Sequence, residues 1–282
     1  MQLKAIVISL KKSIDRREYI IKQCNQIGIE YEILEGIDGS TLPENIRNEF
    51  VQARKNAYAP KGLPPSKWEV TPGVVGCALS HINAYKKIAE SNTEAALILE
   101  DDAILTDSVK LLMDNKKVIR YLRDKKAELI QLAAVKSDYI YLPEIKLLGR
   151  AKLAPGLTIG KAAKIIPGAS CYIISKSGAQ KLLDNILPLR YASDQILANC
   201  EYFGVAYYAT KQPLSLQNRE LKSTITVNER KMQRERIKHF KQYTRIRKYF
   251  KRSILGFLRK TNLIPYFDRT FLLLTPSSNR TR

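Results

Sequence analysis

The stretch AALILEDDAIL, residues 95–105, decides the fold, because it joins a five-residue apolar run to three consecutive acidic side chains. The run Ala95–Leu99 has the length and composition of a buried strand. In open α/β sheets, ligands bind beyond the carboxyl ends of the strands, and Glu100, Asp101 and Asp102 follow directly at that end. The stretch therefore predicts a central strand with a binding edge.

Three adjacent carboxylates repel one another and lose solvation unless a cation offsets their charge. A divalent ion that bridges them to a diphosphate is an economical explanation. Because alternate residues at a strand end point the same way, we expect Glu100 and Asp102 to face the metal together. A solvated acidic turn is the competing interpretation, but the position after an apolar strand favours the metal site.

The flanking patterns predict an α/β domain. Residues 3–10 read as a strand, an apolar stripe that ends before Gly28 reads as a helix, and residues 31–37 read as a second strand. Together these segments predict a βαβ unit. Further helices are predicted over 76–90, 108–125, 175–187 and 193–202, further strands over 128–134, 169–174 and 205–210, an extended loop around a short helix over 42–72, and irregular chain over 135–167.

The charge is strongly unbalanced, with 48 Lys and Arg against 27 Asp and Glu and a formal net charge of +21. Residues 231–282 alone hold 15 Lys and Arg against 2 acids. Their apolar residues recur at helical spacing, which predicts a basic amphipathic helical tail after a catalytic domain of residues 1–230. Such a tail is typical of contact with anionic lipid, while docking on the domain and nucleic-acid contact are the alternatives.

The four cysteines are widely spaced among apolar residues, which indicates free buried thiols rather than a metal cluster. The apolar run at the N-terminus is too short for a signal peptide, and no later run is long enough to span a bilayer. The sequence thus predicts a cytoplasmic protein, held by its tail against the inner face of the plasma membrane.

Five segments, in this order and spacing, resemble glycosyltransferase family 25, the lipopolysaccharide and lipooligosaccharide biosynthesis transferases. The segments are AIVISLKKSIDRREYI (5–20), YEILEGIDGS (31–40), GVVGCALSHINAYKKI (73–88), AALILEDDAIL (95–105) and GASCYIISKSGAQKLL (168–183). The resemblance covers residues 3–230. It implies a GT-A-like domain, with a single mixed, mostly parallel sheet flanked by helices. It also implies inverting transfer of a hexose, galactose in preference to glucose, from a UDP-sugar to a lipooligosaccharide acceptor, with Mn²⁺ or Mg²⁺.

By this resemblance, the acidic triplet occupies the place of the family's DxD-like metal motif, although its spelling departs from a strict DxD. Glu100 and Asp102 are then the expected metal ligands, and Asp101 is expected to contact the donor. The metal would neutralise the departing diphosphate as the anomeric centre gains positive charge.

The donor contacts are predicted on the first strand and the helix after it. Arg16 and Arg17 open that helix, where the helix dipole and the guanidinium groups both attract a diphosphate. A pair of solvated arginines is the alternative. Ser9 and Leu10, at the strand end, are expected to contact the nucleotide by the same topology.

Ser80 and His81 lie in the GCALSH segment and are predicted to have a donor-site or orienting role, with a satisfied packing histidine as the alternative. Asp38 competes as a nucleotide contact, against a plain Asp-Gly turn. An inverting transfer needs a base for the acceptor hydroxyl. Asp194, which opens a helix after a Pro-bounded loop, is the best candidate, with a helix-capping Asp as the alternative.

Two other functions are compatible with the same residues. The net charge alone would suit a nucleic-acid-binding protein, although the sequence shows no recognised nucleic-acid motif. An acidic strand end would also suit a metal-dependent nucleotidyltransferase or phosphohydrolase.

Overall fold

The computed structural model describes residues 3–55, 57, 70–134, 145–163, 166, 168–218 and 221. The strands are β1 (Lys4–Ser9), β2 (Tyr31–Glu35), β3 (Ala95–Glu100), β4 (Ala103–Leu105), β5 (Leu129–Gln131), β6 (Ala133–Ala134), β7 (Leu147–Ala154), β8 (Leu157–Ala162), β9 (Cys171–Ser175), β10 (Tyr207–Thr210) and β11 (Ser215–Gln217). The helices are α1 (Ile14–Ile27), α2 (Glu44–Lys55), α3 (Pro72–Glu90), α4 (Ser108–Met113), α5 (Lys116–Asp124), α6 (Lys176–Ile186) and α7 (Ser193–Ala198), with a short 3₁₀ turn at Gly39–Thr41.

Eight strands form the central sheet, in the order β2-β1-β3-β9-β5-β10-β8-β7. β1 is parallel to β2 and β3, and β5 is parallel to β10, whereas β9 and β8 run antiparallel to their neighbours. Six strands therefore point one way and two the other. The predicted mixed, mostly parallel sheet is confirmed.

Helices cover both faces of this sheet. Along β3, Leu97 and Leu99 belong to one apolar cluster, while Ala96 and Ile98 belong to the other. The first cluster includes buried residues of α1, α4 and α5, and the second includes those of α3, α6 and α7. Alternate burial on two faces explains why the sequence of β3 is a continuous apolar run.

A second sheet of three strands, in the order β4-β11-β6, follows the acidic triplet and was not predicted. The predicted strand 128–134 divides at Leu132, so that β5 joins the large sheet and β6 joins the small one. The small sheet brings the segment 215–218 to the start of β4, because β11 pairs antiparallel with β4.

Two other predicted elements differ from the structure. The expectation of irregular chain over 135–167 is wrong for residues 147–162, which form the β7-β8 hairpin at the sheet edge. Only Leu147 of β7 is buried, and its apolar residues do not alternate regularly with polar ones, which is the pattern on which strand prediction depends. The predicted helix 108–125 is two helices, because Asn115 caps a new start by accepting the Lys117 amide.

The predicted tail, residues 231–282, lies outside the described residues, as does most of the predicted loop 42–72 beyond α2. Among the helices that the structure describes, none combines the length and apolarity needed to cross a bilayer.

Two glycines bring the turn after β2 against α3. A Cβ on Gly76 would lie 2.5 Å from the Ile37 carbonyl oxygen and 2.6 Å from the Gly39 amide nitrogen. A Cβ on Gly39 would lie 1.7 Å from the Pro72 carbonyl oxygen. Both obstacles are backbone atoms, so the close approach of the two segments requires glycine at both positions.

Gly76→Ala is expected to destabilise the protein by about 2 kcal/mol or more, because the backbone clash outweighs the gain of about 1 kcal/mol in helix propensity. Chemical denaturation measures the change. Gly156→Ala is the control, because its Cβ meets nothing within 4 Å and only its φ of 75° opposes the substitution. Equal or greater stability of Gly76→Ala would contradict the close approach.

Candidate active site

The acidic triplet emerges beside the end of β1. β1 and β3 are parallel neighbours, with Ile8 paired to Glu100, so the residues after both strands meet at one edge of the sheet. Asp101 and Asp102 are buried, with 5% and 8% of their surface exposed, and Glu100 is partly exposed. Two buried carboxylates in this position need compensating charge or hydrogen bonds.

Arg16 supplies the positive charge. Its Nε lies 2.7 Å and its Nη2 2.5 Å from Asp101 Oδ1, and Nη2 is 3.1 Å from Asp102 Oδ2. The guanidinium thus binds both carboxylates from the first turn of α1. Burial still dominates at Asp101 and raises its pKa, while the attraction of Arg16 and a hydrogen bond from Ser9 oppose that rise.

Asp102 is held by the last residue of β11 and the residue that follows it. The Gln217 amide donates to Asp102 Oδ2 at 3.1 Å, and the Asn218 backbone N–H donates to the Asp102 carbonyl oxygen at 2.7 Å. Its other carboxylate oxygen, Oδ1, is buried and has no hydrogen-bond partner among the described residues. Burial first, and then repulsion by Glu100, raise the pKa of Asp102 to about 7.

Glu100 is bound from α3. His81 Nε2 lies 3.0 Å from Glu100 Oε1, and His81 Nδ1 lies 2.8 Å from the Tyr172 hydroxyl on β9. The Tyr172 hydroxyl in turn donates to the Tyr85 hydroxyl at 3.0 Å. His81, Tyr85 and Tyr172 are fully buried, so a polar chain runs from the core to the partly exposed Glu100.

Asp194 lies at the same edge, in the first turn of α7. Its side chain is exposed to solvent, although enough protein surrounds the carboxylate to raise its pKa to about 6. Desolvation is the main cause, and repulsion by Glu100 adds to it, while His81 and the Ala169 backbone N–H oppose the rise.

Of the three residues predicted around the end of β1, Ser9 hydrogen-bonds to Asp101, whereas Arg17 and Leu10 contact the end of β2 and the chain after it. Arg17 Nη2 donates to the Ser9 carbonyl oxygen at 2.9 Å and to Glu35 Oε2 at 3.0 Å. Ser9 is buried. The Leu10 side chain lies next to Gly36, where an added Cβ would be 3.2 Å from Leu10 Cδ2. Arg17 thereby connects the ends of β1 and β2.

Asp38 and Ser80 hold the turn after β2. Asp38 accepts the Ser40 backbone N–H at 3.0 Å and pairs with Lys12, whose hydrogen bond holds the Asp38 pKa below its usual value. Ser80 Oγ accepts the Ile37 amide at 2.8 Å and donates to the Gly76 carbonyl at 2.7 Å. Both residues have structural contacts, and their predicted donor contacts remain predictions.

The residues present fit a hard divalent cation. Carboxylate oxygens are the ligands that Mn²⁺ and Mg²⁺ prefer. Oδ1 of Asp102 has no partner among the described residues and Glu100 is partly exposed, whereas Asp101 is bound by Arg16. The repulsion between Glu100 and Asp102 shows that a cation near both would stabilise the edge.

Sequence reasoning missed three residues of this site. Gln217 lies far from the triplet along the chain, and no role was assigned to it. Tyr172 appears in the sequence as a plain strand residue. Cys77 was interpreted as a buried thiol, although its spacing of four residues from His81 places both on one face of α3.

The fold and the edge define an α/β protein with a buried acidic cluster at the carboxyl ends of its central strands. The sequence profile of "Glycosyltransferase family 25 (LPS biosynthesis protein)" matches residues 2–197. This chain belongs to glycosyltransferase family 25.

Human procollagen galactosyltransferase 2 is 26% identical over 214 residues, which cover 70% of this chain and 32% of that protein. Mouse "inactive glycosyltransferase 25 family member 3" is 24% identical over 216 residues, covering 69% and 33%. The chain thus spans about a third of the length of these relatives. The solved structure of glycosyltransferase GlyE from Streptococcus pneumoniae aligns with a TM-score of 0.38 at 15% identity, covering 80% of this chain and 56% of that one.

The raised pKa of Asp102 predicts that stability falls with pH. The carboxyl titrates near 3.8 when unfolded and near 7 when folded, so the folded state binds more protons between these values. The unfolding free energy of the metal-free protein should therefore fall from about pH 4 to pH 7, by a few kcal/mol at most.

Urea denaturation across this pH range measures the slope. Asp102→Asn should reduce this slope, most clearly between about pH 6 and pH 7, because Asp194 contributes a slope of the same sign below that range. The matched change at the exposed Asp124, Asp124→Asn, should leave the slope as in the wild type. A wild-type slope that survives in Asp102→Asn would show that another group carries the proton linkage.

Proposed function

We propose that this chain is an inverting, metal-assisted glycosyltransferase with a GT-A-like domain. It would transfer a hexose, galactose in preference to glucose, from a UDP-sugar to the oligosaccharide of lipopolysaccharide or lipooligosaccharide. The observation that carries the proposal is the buried acidic edge, where Asp102 keeps an unpartnered oxygen in a member of glycosyltransferase family 25. The family description supports the acceptor, and the name of the human relative supports galactose.

Glu100 and Asp102 would hold the Mn²⁺ or Mg²⁺ ion. When bound, such an ion neutralises the charge that develops on a departing nucleotide diphosphate. Arg16 and Gln217 fix Oδ2 of Asp102, which leaves Oδ1 for the ion. His81 orients Glu100 from the core side. The protein thereby presents two hard oxygens in a prearranged position.

Arg17, Ser9, Leu10, Asp38 and Ser80 would line the nucleotide end of the donor, since they lie at the ends of β1 and β2 or support the turn there. Arg16 would hold Asp101 and Asp102 in place, and its positive charge would attract the diphosphate of the donor. Asp101 would act on the donor through the same ion pair with Arg16.

Asp194 would act as the general base. The acceptor hydroxyl attacks the anomeric carbon, its proton passes to the Asp194 carboxylate, and the bond between that carbon and the phosphate oxygen breaks to release UDP. Attack from the face opposite the leaving group inverts the anomeric configuration. A pKa of about 6 leaves Asp194 ionised at neutral pH while making it more basic than an ordinary aspartate.

The basic tail would hold the enzyme on the anionic inner face of the plasma membrane, where a lipid-linked acceptor is assembled. This part of the proposal rests on the sequence pattern of residues 231–282. Deleting these residues should weaken binding to anionic vesicles, and unchanged binding would remove the membrane role alone.

Product analysis separates the transferase from a nucleotidyltransferase or phosphohydrolase. With UDP-galactose or UDP-glucose and an oligosaccharide acceptor, only a glycosyltransferase releases UDP and leaves the sugar on the acceptor. The screen is run with Mn²⁺, with Mg²⁺ and with a chelator. Turnover that is equal in the chelator would reject the metal assignment.

Asp194→Asn is expected to lower kcat by about 10²- to 10⁴-fold, because the base is lost while the shape of the site is kept. Donor affinity, measured by calorimetry, should stay the same. In the wild type, kcat should fall as the pH falls below about 6, where Asp194 becomes protonated. Asp184→Asn, on the outer surface of α6, is the control. Full turnover by Asp194→Asn would assign the base elsewhere.

Asp102→Asn should abolish transfer and weaken Mn²⁺ binding on the order of 10-fold or more, because an amide replaces a carboxylate ligand. Calorimetric titration with Mn²⁺ measures the binding, and circular dichroism checks the fold. If Mn²⁺ bound the variant as tightly as the wild type, Asp102 would not be a ligand.

A further inference from the structure

Three side chains with different ligand atoms lie close together where α3 packs beside the end of β3. Cys77 and His81 lie one turn apart on α3, and both face Glu100 at the end of β3. One ligand atom from each, the thiol sulfur, an imidazole nitrogen and a carboxylate oxygen, all lie within 4.8 Å of one another. Cys77 Sγ is 3.9 Å from Glu100 Oε1 and 3.2 Å from Ser193 Oγ.

The hydrogen bonds of the buried chain assign the tautomer of His81. The Tyr172 hydroxyl donates its hydrogen to Tyr85, so its oxygen must accept from the Nδ1–H of His81. In the neutral imidazole, Nε2 then carries a lone pair. That lone pair faces Glu100 Oε1 at 3.0 Å, and a carboxylate oxygen is also an acceptor. A cation between these two acceptor atoms would relieve their repulsion.

We propose that Cys77, His81 and Glu100 form a binding site for a borderline-soft divalent cation, Zn²⁺, distinct in chemistry from the oxygen site of Glu100 and Asp102. A thiolate, an imidazole and a carboxylate are the three ligand types that Zn²⁺ accepts in proteins. Mn²⁺ and Mg²⁺ prefer oxygen alone. The thiol is therefore the feature that separates the two sites.

The geometry fits a tetrahedral ion after small side-chain rotations. Zn–S and Zn–N or Zn–O bonds of about 2.3 and 2.0 Å place neighbouring ligand atoms about 3.3–3.6 Å apart. The pair His81–Glu100 is slightly closer than this, and the pair Cys77–Glu100 slightly farther. Cys77 is partly exposed, so solvent reaches the site, and the fourth ligand would be water.

The surroundings have two properties of a metal site. Metal-binding histidines donate their other N–H to a fixed acceptor, and the buried Tyr172 oxygen occupies that position for His81. The negative charges of Glu100, Asp102 and Asp194 around Cys77 also favour a bound cation.

Both sites use Glu100, so an ion at the Cys77 site would remove a ligand from the hard-metal site. If the proposed transferase activity is correct, Zn²⁺ should inhibit it competitively with Mn²⁺. That consequence rests on the proposed function, whereas Zn²⁺ binding itself does not. Measurements of Co²⁺ and Zn²⁺ binding would therefore succeed or fail whatever reaction the protein catalyses.

Cobalt substitution tests the site directly. The full chain, stripped of metal with a chelator, is titrated with Co²⁺ and followed by absorption, because Co²⁺ bound to a thiolate gives a charge-transfer band. The wild type should show the band, and Zn²⁺ should remove it by displacement. Cys77→Ala should abolish the band and bind about one equivalent of Zn²⁺ less in equilibrium dialysis. Absence of the band in the wild type would overturn the proposal, whether or not any variant folds.

Cys24→Ala is the control, because Cys24 is another free thiol but lies in the cluster on the other face of the sheet. It should keep the band unchanged. Glu100→Gln should keep the thiolate band while weakening Zn²⁺ affinity on the order of 10-fold or more. A band that persists in Cys77→Ala, or that vanishes in Cys24→Ala, would assign the thiolate to another cysteine and reject this site.

Discussion

The ion pairs of Arg16 with Asp101 and Asp102 are the interaction on which the binding edge depends. They join α1 to the end of β3 across the end of β1, and they offset part of the charge of two buried carboxylates. A buried charge without such a partner would cost several kcal/mol. One guanidinium cannot neutralise the whole triplet, however, and the remaining negative charge would favour a bound cation.

The distribution of this remaining charge follows from which oxygens already have partners. Arg16 and Gln217 bind Oδ2 of Asp102, so Oδ1 is left without a partner among the described residues. Glu100 is oriented from the opposite side by His81, which is itself fixed by Tyr172. The metal-free protein therefore holds two repelling carboxylates in place, a strain that lowers stability and that a bound cation would relieve.

Membership of glycosyltransferase family 25 and the acidic edge support each other, but they answer different questions. The family includes relatives named as galactosyltransferases and others named as inactive, so membership alone does not establish activity. The edge provides the physical reason to propose activity, because the proposed reaction would use the unpartnered oxygen of Asp102 as a metal ligand and the solvent-exposed Asp194 as a base. The two proposed metal sites would share Glu100 and differ in their other ligands, which are Cys77 and His81 in one and Asp102 in the other.

The sequence by itself determined the βαβ start, the buried strand Ala95–Leu99 and the acidic residues at its carboxyl end, because these features are local and follow from apolar periodicity. It also singled out Arg16, His81 and Asp194 as candidates. Only the tertiary structure decided their partners, since Arg16 and Asp101 are 85 residues apart and Gln217 and Asp102 are 115 apart. The exposed hairpin β7-β8 was missed for a related reason: its strands are specified by pairing at a sheet edge, which leaves little apolar pattern in the chain.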